Sequence, residues 1–176
     1  MPSIQAIADS LSTVFTDERY PLGTTYVQTD AEVKNGTSGV DTTKDFPLLK
    51  GERVWIFIKA TGAIGKGDLV ARTAGAEPFG GAPDAADDTM PAALLGVADH
   101  AIDSGSFSWV IARGCCVVST QAATAGQYLE SHGSTGTAGE VHNAANAAAS
   151  GVIGMALEAL SGSVATGFTQ SYIDVL

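Results

Sequence analysis

The sequence predicts an all-β protein, a small barrel or sandwich built from two similar halves and preceded by an N-terminal helix and an extended arm. Three observations carry that expectation. After Lys50 the chain becomes a series of short runs rich in β-branched and aromatic residues, separated by Gly, Ser, Asp and Pro. The later half of this region echoes the earlier half. Glycines recur where tight turns or bulges between antiparallel strands need them. The 176 residues suffice for one domain and an arm, and a chain of this size buries roughly 70% of its unfolded surface without disulfide or metal staples.

The first element is a helix. Ile4, Ile7, Ala8, Leu11, Val14 and Phe15 follow the i, i+3, i+4, i+7 spacing of one apolar helical face over residues 3 to 15. That face serves either to cap the domain's own core or to anchor the chain in a groove of a partner, with Ile4, Ile7, Leu11, Val14 and Phe15 as the anchoring side chains. From Thr16 to Lys50 the chain is polar and broken at Tyr20-Pro21-Leu22-Gly23 and Asn35-Gly36, which suits an extended arm or loose hairpin. Residues 1–50 are thus the helix and arm. The start lacks a basic stretch followed by a continuous apolar run, so synthesis in the cytoplasm is expected and Asn35-Gly36-Thr37 is read as a turn, not a glycosylation site.

Residues 51–176 form the β domain. Strands are expected at Val54 to Ala60, Asp68 to Arg72, Leu94 to His100, Phe107 to Ala112, Cys115 to Ser119, Gln127 to Ser131, Val152 to Leu160 and Thr169 to Leu176. Thr73 to Ala92 and His132 to Ser150, dominated by Ala, Gly, Asp, Asn and Thr, read as long surface loops, the second with a helical turn or two at Asn143 to Ala149. Trp55 and Trp109 fall within strands and are expected to fill the core. Cys115 and Cys116 are adjacent, so their side chains point to opposite faces of a strand and do not pair with each other.

An internal repeat spans about 54–112 and 113–176. Thr61 and Gly67 recur as Thr120 and Gly126 at an offset of 59, Leu95-Gly96-Val97-Ala98 as Ile153-Gly154-Met155-Ala156 at 58, and Ser104-Gly105-Ser106 as Ser161-Gly162-Ser163 at 57. Three ordered matches drifting by single residues point to duplication. Their glycines have a physical reason as well: inside an apolar strand they mark a bulge or a close backbone approach.

Constellations for catalysis are missing. TGAIGKGD at Thr61 to Asp68 has Ala60 and Gly67 where a phosphate loop needs Gly and Ser or Thr. No serine is flanked by glycine at both −2 and +2, as a nucleophile elbow requires. Asp84, Asp87 and Asp88, like Asp99 and Asp103, lack the glycine and closing glutamate of a calcium loop, and His100, His132 and His142 are scattered. No metal, cofactor or catalytic residue is assigned. With 9 basic and 19 acidic residues the chain carries −10 and no basic stripe, which disfavours nucleic acid and anionic membrane as partners. The apolar runs are far shorter than the roughly 20 residues that span a bilayer.

From Val110 to Leu129 the chain reads VIARGCCVVSTQAATAGQYL, with Arg113-Gly114 between strands and a turn at Gly126; Val152-Ile153-Gly154-Met155-Ala156 follows. Over residues 51 to 176 this pattern resembles the capsid decoration, or cement, proteins of tailed bacteriophages. The resemblance implies a compact barrel of tulip-like or clip-like form, assembled as trimers or dimers on the outer face of the head and bound to the major capsid protein. It also implies that the chain stabilises the expanded head by bridging capsomers. Residues 1–50 and the loop at 73–92 exceed the family pattern, and an arm of 35 residues reaches on the order of 115 Å when extended. The alternatives are a tail, fibre-hub or head-fibre base component and, after those, a small-ligand binding domain or enzyme.

Overall fold

One hydrogen-bonded sheet of eleven strands closes on itself twice, and both closures share the longest strand. The computed structural model describes residues 3–4, 9–29, 51–75, 77–85, 93–120, 124–131, 137–144, 151–157 and 167–176. Its strands are β1 (Ser3–Ile4), β2 (Thr25–Gln28), β3 (Arg53–Ala60), β4 (Leu69–Arg72), β5 (Gly80–Pro83), β6 (Leu94–Val97), β7 (Phe107–Thr120), β8 (Tyr128–Ser131), β9 (Val141–Asn143), β10 (Val152–Ala156) and β11 (Gly167–Asp174). The fold is all-β, and no α-helix occurs among the described residues.

The first ring is a closed five-stranded barrel in the order β3, β5, β4, β6, β7, completed by antiparallel pairing of β3 with β7. The second runs β7, β11, β10, β8, β9 and returns to β7 through a parallel contact between Thr120 and Val141. Closure leaves neither ring with an open edge of its own, while β2 and β1 extend the sheet outward from β3.

The two rings pair alike. β3 meets β5 in parallel at Ala60 and Gly81, as β7 meets β9 at Thr120 and Val141. Val70 faces Gly96 before a bulge, as Leu129 faces Gly154 before a bulge. Gly67 donates its N–H to the Ala98 carbonyl at 2.7 Å, and Gly126 donates to Ala156 at 2.8 Å. A side chain at Gly96 would stand 2.4 Å from the Ile111 carbonyl oxygen, and one at Gly154 would stand 2.0 Å from that of Tyr172. Both bulges therefore require glycine for the same reason, contact with a neighbouring backbone that has no freedom to yield.

Alternate residues face inward: Ile56, Ile58, Val70, Leu95 and Val110 in the first ring, and Cys116, Val118, Leu129, Ile153 and Ile173 in the second, all buried. The first ring has a further apolar layer outside it. Phe57 and Trp109 pack edge-on or tilted against Phe15, Tyr20 and Tyr26 from residues 9–29, and Phe57 stacks on Phe107, with ring centroids 5.2 to 6.5 Å apart. Trp55 and Trp109 are fully buried, and the Trp55 indole N–H donates to Gln28 Oε1 at 3.0 Å.

Four expectations change. The helix over residues 3 to 15 is absent among the described residues: Ser3–Ile4 is a strand parallel to β2, and Ser10 to Thr13 form a turn closed by the Thr13 N–H on the Ser10 carbonyl. Serines that bond locally and the β-branched pair Thr13-Val14 favour such a path over a helix. Residues 9–29 are not a free arm, since β2 pairs with β3 and Leu11 lies in the core. The segment 107–112 and the segment 115–119 form one strand of 14 residues, which passes Gly114 at φ 113°. Finally, the two supposed surface loops contain β5 and β9, the strands that complete the rings. Ile7, Asn35-Gly36, Asp87, Asp88, His132 and Ala145–Ala149 lie outside the described residues.

Candidate functional site

The equivalent registers of the two rings define one row of outward side chains on each. In the first ring Leu69 faces Val97, Val97 faces Ile111, and Ile111 faces Trp55. In the second, Tyr128 faces Met155, Met155 faces Tyr172, and Tyr172 faces Cys115. All four side chains of the first row are 0% exposed. Tyr128, Met155 and Tyr172 are 43%, 37% and 39% exposed, and Cys115 is half-buried. Three large apolar side chains thus stand side by side on β8, β10 and β11 in contact with solvent. An amphipathic tyrosine on each flank of a flexible methionine is the composition of a protein-binding surface.

The row has relief. Beside the row lies a shallow, mainly apolar depression of about 370 Å³, lined by both tyrosines and Met155 together with Val152, Ile153, Gly154 and Asp174. The bulge at Val152 to Gly154 lies in this lining, and Gly154 lets β10 approach the β11 backbone, where a side chain would stand 2.0 Å from the Tyr172 carbonyl oxygen. Two residues along β11 from Tyr172, the facing pair Asp174 and Arg113 makes the adjoining surface charged. Arg113 Nε lies 3.3 Å from Asp174 Oδ2, with both side chains substantially exposed. Tyr172 and Asp174 both favour the charged guanidinium, and exposed Glu52 adds to the effect. The Arg113–Asp174 pair is exposed and screened by solvent, so it adds little to folding and is available for exchange with a partner.

A second polar cluster is enclosed. Arg53 is 1% exposed and its three guanidinium nitrogens make no hydrogen bond. Burial lowers its pKa, opposed by the nearby Asp99 carboxylate. Burial raises Asp99 to about 6, against Arg53 and Lys66, and Asp99 Oδ2 also lacks a partner. His100 Nε2 lies 2.8 Å from Ser108 Oγ, which itself donates to the Thr13 carbonyl at 2.8 Å. That chain requires Nε2 of neutral His100 to carry the proton, leaving Nδ1 bare and buried without a partner. Burial, with Lys66 adding, holds His100 down at about 4. Burial also raises the Cys116 thiol, so it is inert at neutral pH.

Among Leu11, Val14 and Phe15, the anchoring residues expected from the sequence whose side chains are described, two are taken up by the domain's own packing. Leu11 is in the core, Phe15 packs edge-on against Phe57 and Tyr20, and Val14 is exposed. Ile4 lies in β1. Asp84 is buried and Asp103 exposed. Among the described residues no three His, Cys, Asp or Glu side chains gather as a metal site would need. The Tyr128, Met155 and Tyr172 row was not foreseen; the repeat offsets of 59 and 58 do set Tyr128 against Leu69 and Met155 against Val97, whereas the match of Tyr172 with Ile111 and of Cys115 with Trp55 shows only in the strand registers.

No protein-family model matches the chain, and no curated protein matches it in sequence. Among solved structures, the crystal structure of the head fiber gp8.5 N base of bacteriophage phi29 is similar, with a TM-score of 0.51 and 20% identity. The match covers 70% of this chain and 95% of that one, so nearly the whole of the fibre base finds its counterpart here. At that identity the likeness establishes a shared fold.

Proposed function

We propose that the chain is a structural protein of a phage virion, carried on the outer surface of the head, where it binds the major capsid protein. In this reading it bridges capsomers and stabilises the expanded shell, acts as a homo-oligomer, trimer or dimer, and has no catalytic role. The observation that carries the reading is the fold shared with a head fiber base over 95% of that chain. The acidic balance of −10 agrees with a place outside the shell, away from packaged DNA. A rigid body closed into rings is a suitable clamp, since binding that favours the assembled shell stabilises it by mass action.

The same likeness favours a second reading, in which the chain is the base of a head fibre and attaches a distal part without reinforcing the shell. Two measurements test and separate these. Quantitative mass spectrometry of purified virions is expected to give a copy ratio to the major capsid protein that is a simple lattice fraction. Absence from the virion would overturn both readings, and a handful of copies would move the chain to the tail. Heads lacking the chain are then heated beside complete heads: earlier rupture supports the cement role, and equal rupture temperatures support the fibre base.

A further inference from the structure

We infer that the Tyr128, Met155 and Tyr172 row is the surface by which the chain grips the head, and that its occupant is an extended segment of shell protein bearing an aliphatic side chain beside a lysine or arginine. The inference rests on the proposed place on the head. Its starting point is the difference between two rows in equivalent registers, one 0% exposed throughout and the other presenting three large side chains to water. Folding accounts for the first row completely. Nothing within the described residues covers the second.

The occupant follows from shape and charge. The depression beside Tyr128 and Tyr172 has a mainly apolar lining that includes Val152, Ile153, Gly154 and Met155, which suits one aliphatic side chain or proline. The two ring faces supply contact area with little loss of side-chain entropy. At the Tyr172 end, Arg113 pairs with Asp174 and also feels exposed Glu52, leaving carboxylate in excess there among the described residues. The chain as a whole is −10. A segment with a basic residue next to its aliphatic anchor complements both features, whereas an acidic segment or an anionic bilayer is repelled.

The test is co-sedimentation with heads purified from a phage mutant lacking the chain. Wild type is compared with Tyr128→Ser/Met155→Ser/Tyr172→Ser, with Met155→Glu as a second variant that alters one exposed side chain only, and with Val27→Ser as a control on an exposed residue of β2. Both row variants are expected to bind at least about 30-fold more weakly, Val27→Ser to bind as wild type, and wild-type binding to weaken as salt rises. Row variants that bind normally would overturn the inference and leave the place on the head intact. Wild type that does not bind heads would remove that place and the inference with it. Self-association without heads, abolished in the row variants, would give the surface to a second copy and overturn the assignment.

Discussion

The two rings share a pairing scheme and differ in what lies outside them. The outer layer of the first is aromatic and covered by residues 9–29, with Phe57 against Tyr20, Phe15 and Trp109. In the second, the position equivalent to Phe57 is Val117, which faces Gln170, and the position equivalent to Trp55 is the half-buried Cys115. Backbone connectivity therefore does not decide which face becomes core. The side chains at matched registers do, and they divide the molecule into a ring that is sealed by its own chain and a ring with a face in reserve.

The sharpest test of the shared scheme is at its bulges. Gly96→Val and Gly154→Val each drive a side chain into backbone, at 2.4 and 2.0 Å, so each is expected to cost on the order of 4 kcal/mol. Gly105→Ala, with φ of 85° and no atom within 4 Å, is expected to cost only about 1 kcal/mol. Urea unfolding measures all three. A mild Gly154→Val beside a severe Gly96→Val would break the equivalence of the rings.

Next in size is the difference in outer layers. Phe57→Ala removes a fully buried ring from an aromatic cluster and is expected to cost about 3–5 kcal/mol, while Val117→Ala at the matched position is expected to cost about 1–2 kcal/mol. Equal losses would show that the second ring is sealed as tightly as the first.

Much of the fold was legible in the sequence because β-branched and aromatic runs survive as β3, β6, β7 and β10. What escaped detection had no pattern to display. Gly80-Gly81-Ala82-Pro83 forms β5 although none of its residues is a strand former. Gly81 is needed because a side chain there would sit 2.7 Å from both Leu95 and Val70. Val141-His142-Asn143 is too short to show alternation. The apolar spacing from Ile4 to Phe15 imitates a helix because Leu11 and Phe15 turn inward from an irregular strap. The exposed row was invisible for another reason: Tyr128, Met155 and Tyr172 are ordinary strand residues, and only the three-dimensional register makes them neighbours.

The smallest expected effect concerns pH at the enclosed cluster of the first ring. Asp99 has its folded pKa raised to about 6, so its contribution to stability is present below the ordinary carboxylate range and is lost as pH rises through about 6. His100 has its folded pKa lowered to about 4, so its contribution is present above about 6.5 and is lost as pH falls toward 4. The two oppose each other between pH 4 and 6. Relative to wild type, Asp99→Asn is expected to lose stability on acidification across that window and His100→Gln to gain it, each by at most about 1.4 kcal/mol per pH unit. Urea midpoints taken at several pH values measure both slopes, and parallel profiles for all three proteins would remove this balance.

The contrast between a sealed and an open ring is tested most directly at Met155, whose thioether is oxidised by peroxide in proportion to its access. Oxidation of Met155 is followed by mass spectrometry in the free chain and in the same chain bound to phage heads. The account predicts ready oxidation when free and protection by an order of magnitude or more when bound. Equal oxidation in the two states would mean that the row stays open on the head, and would contradict it.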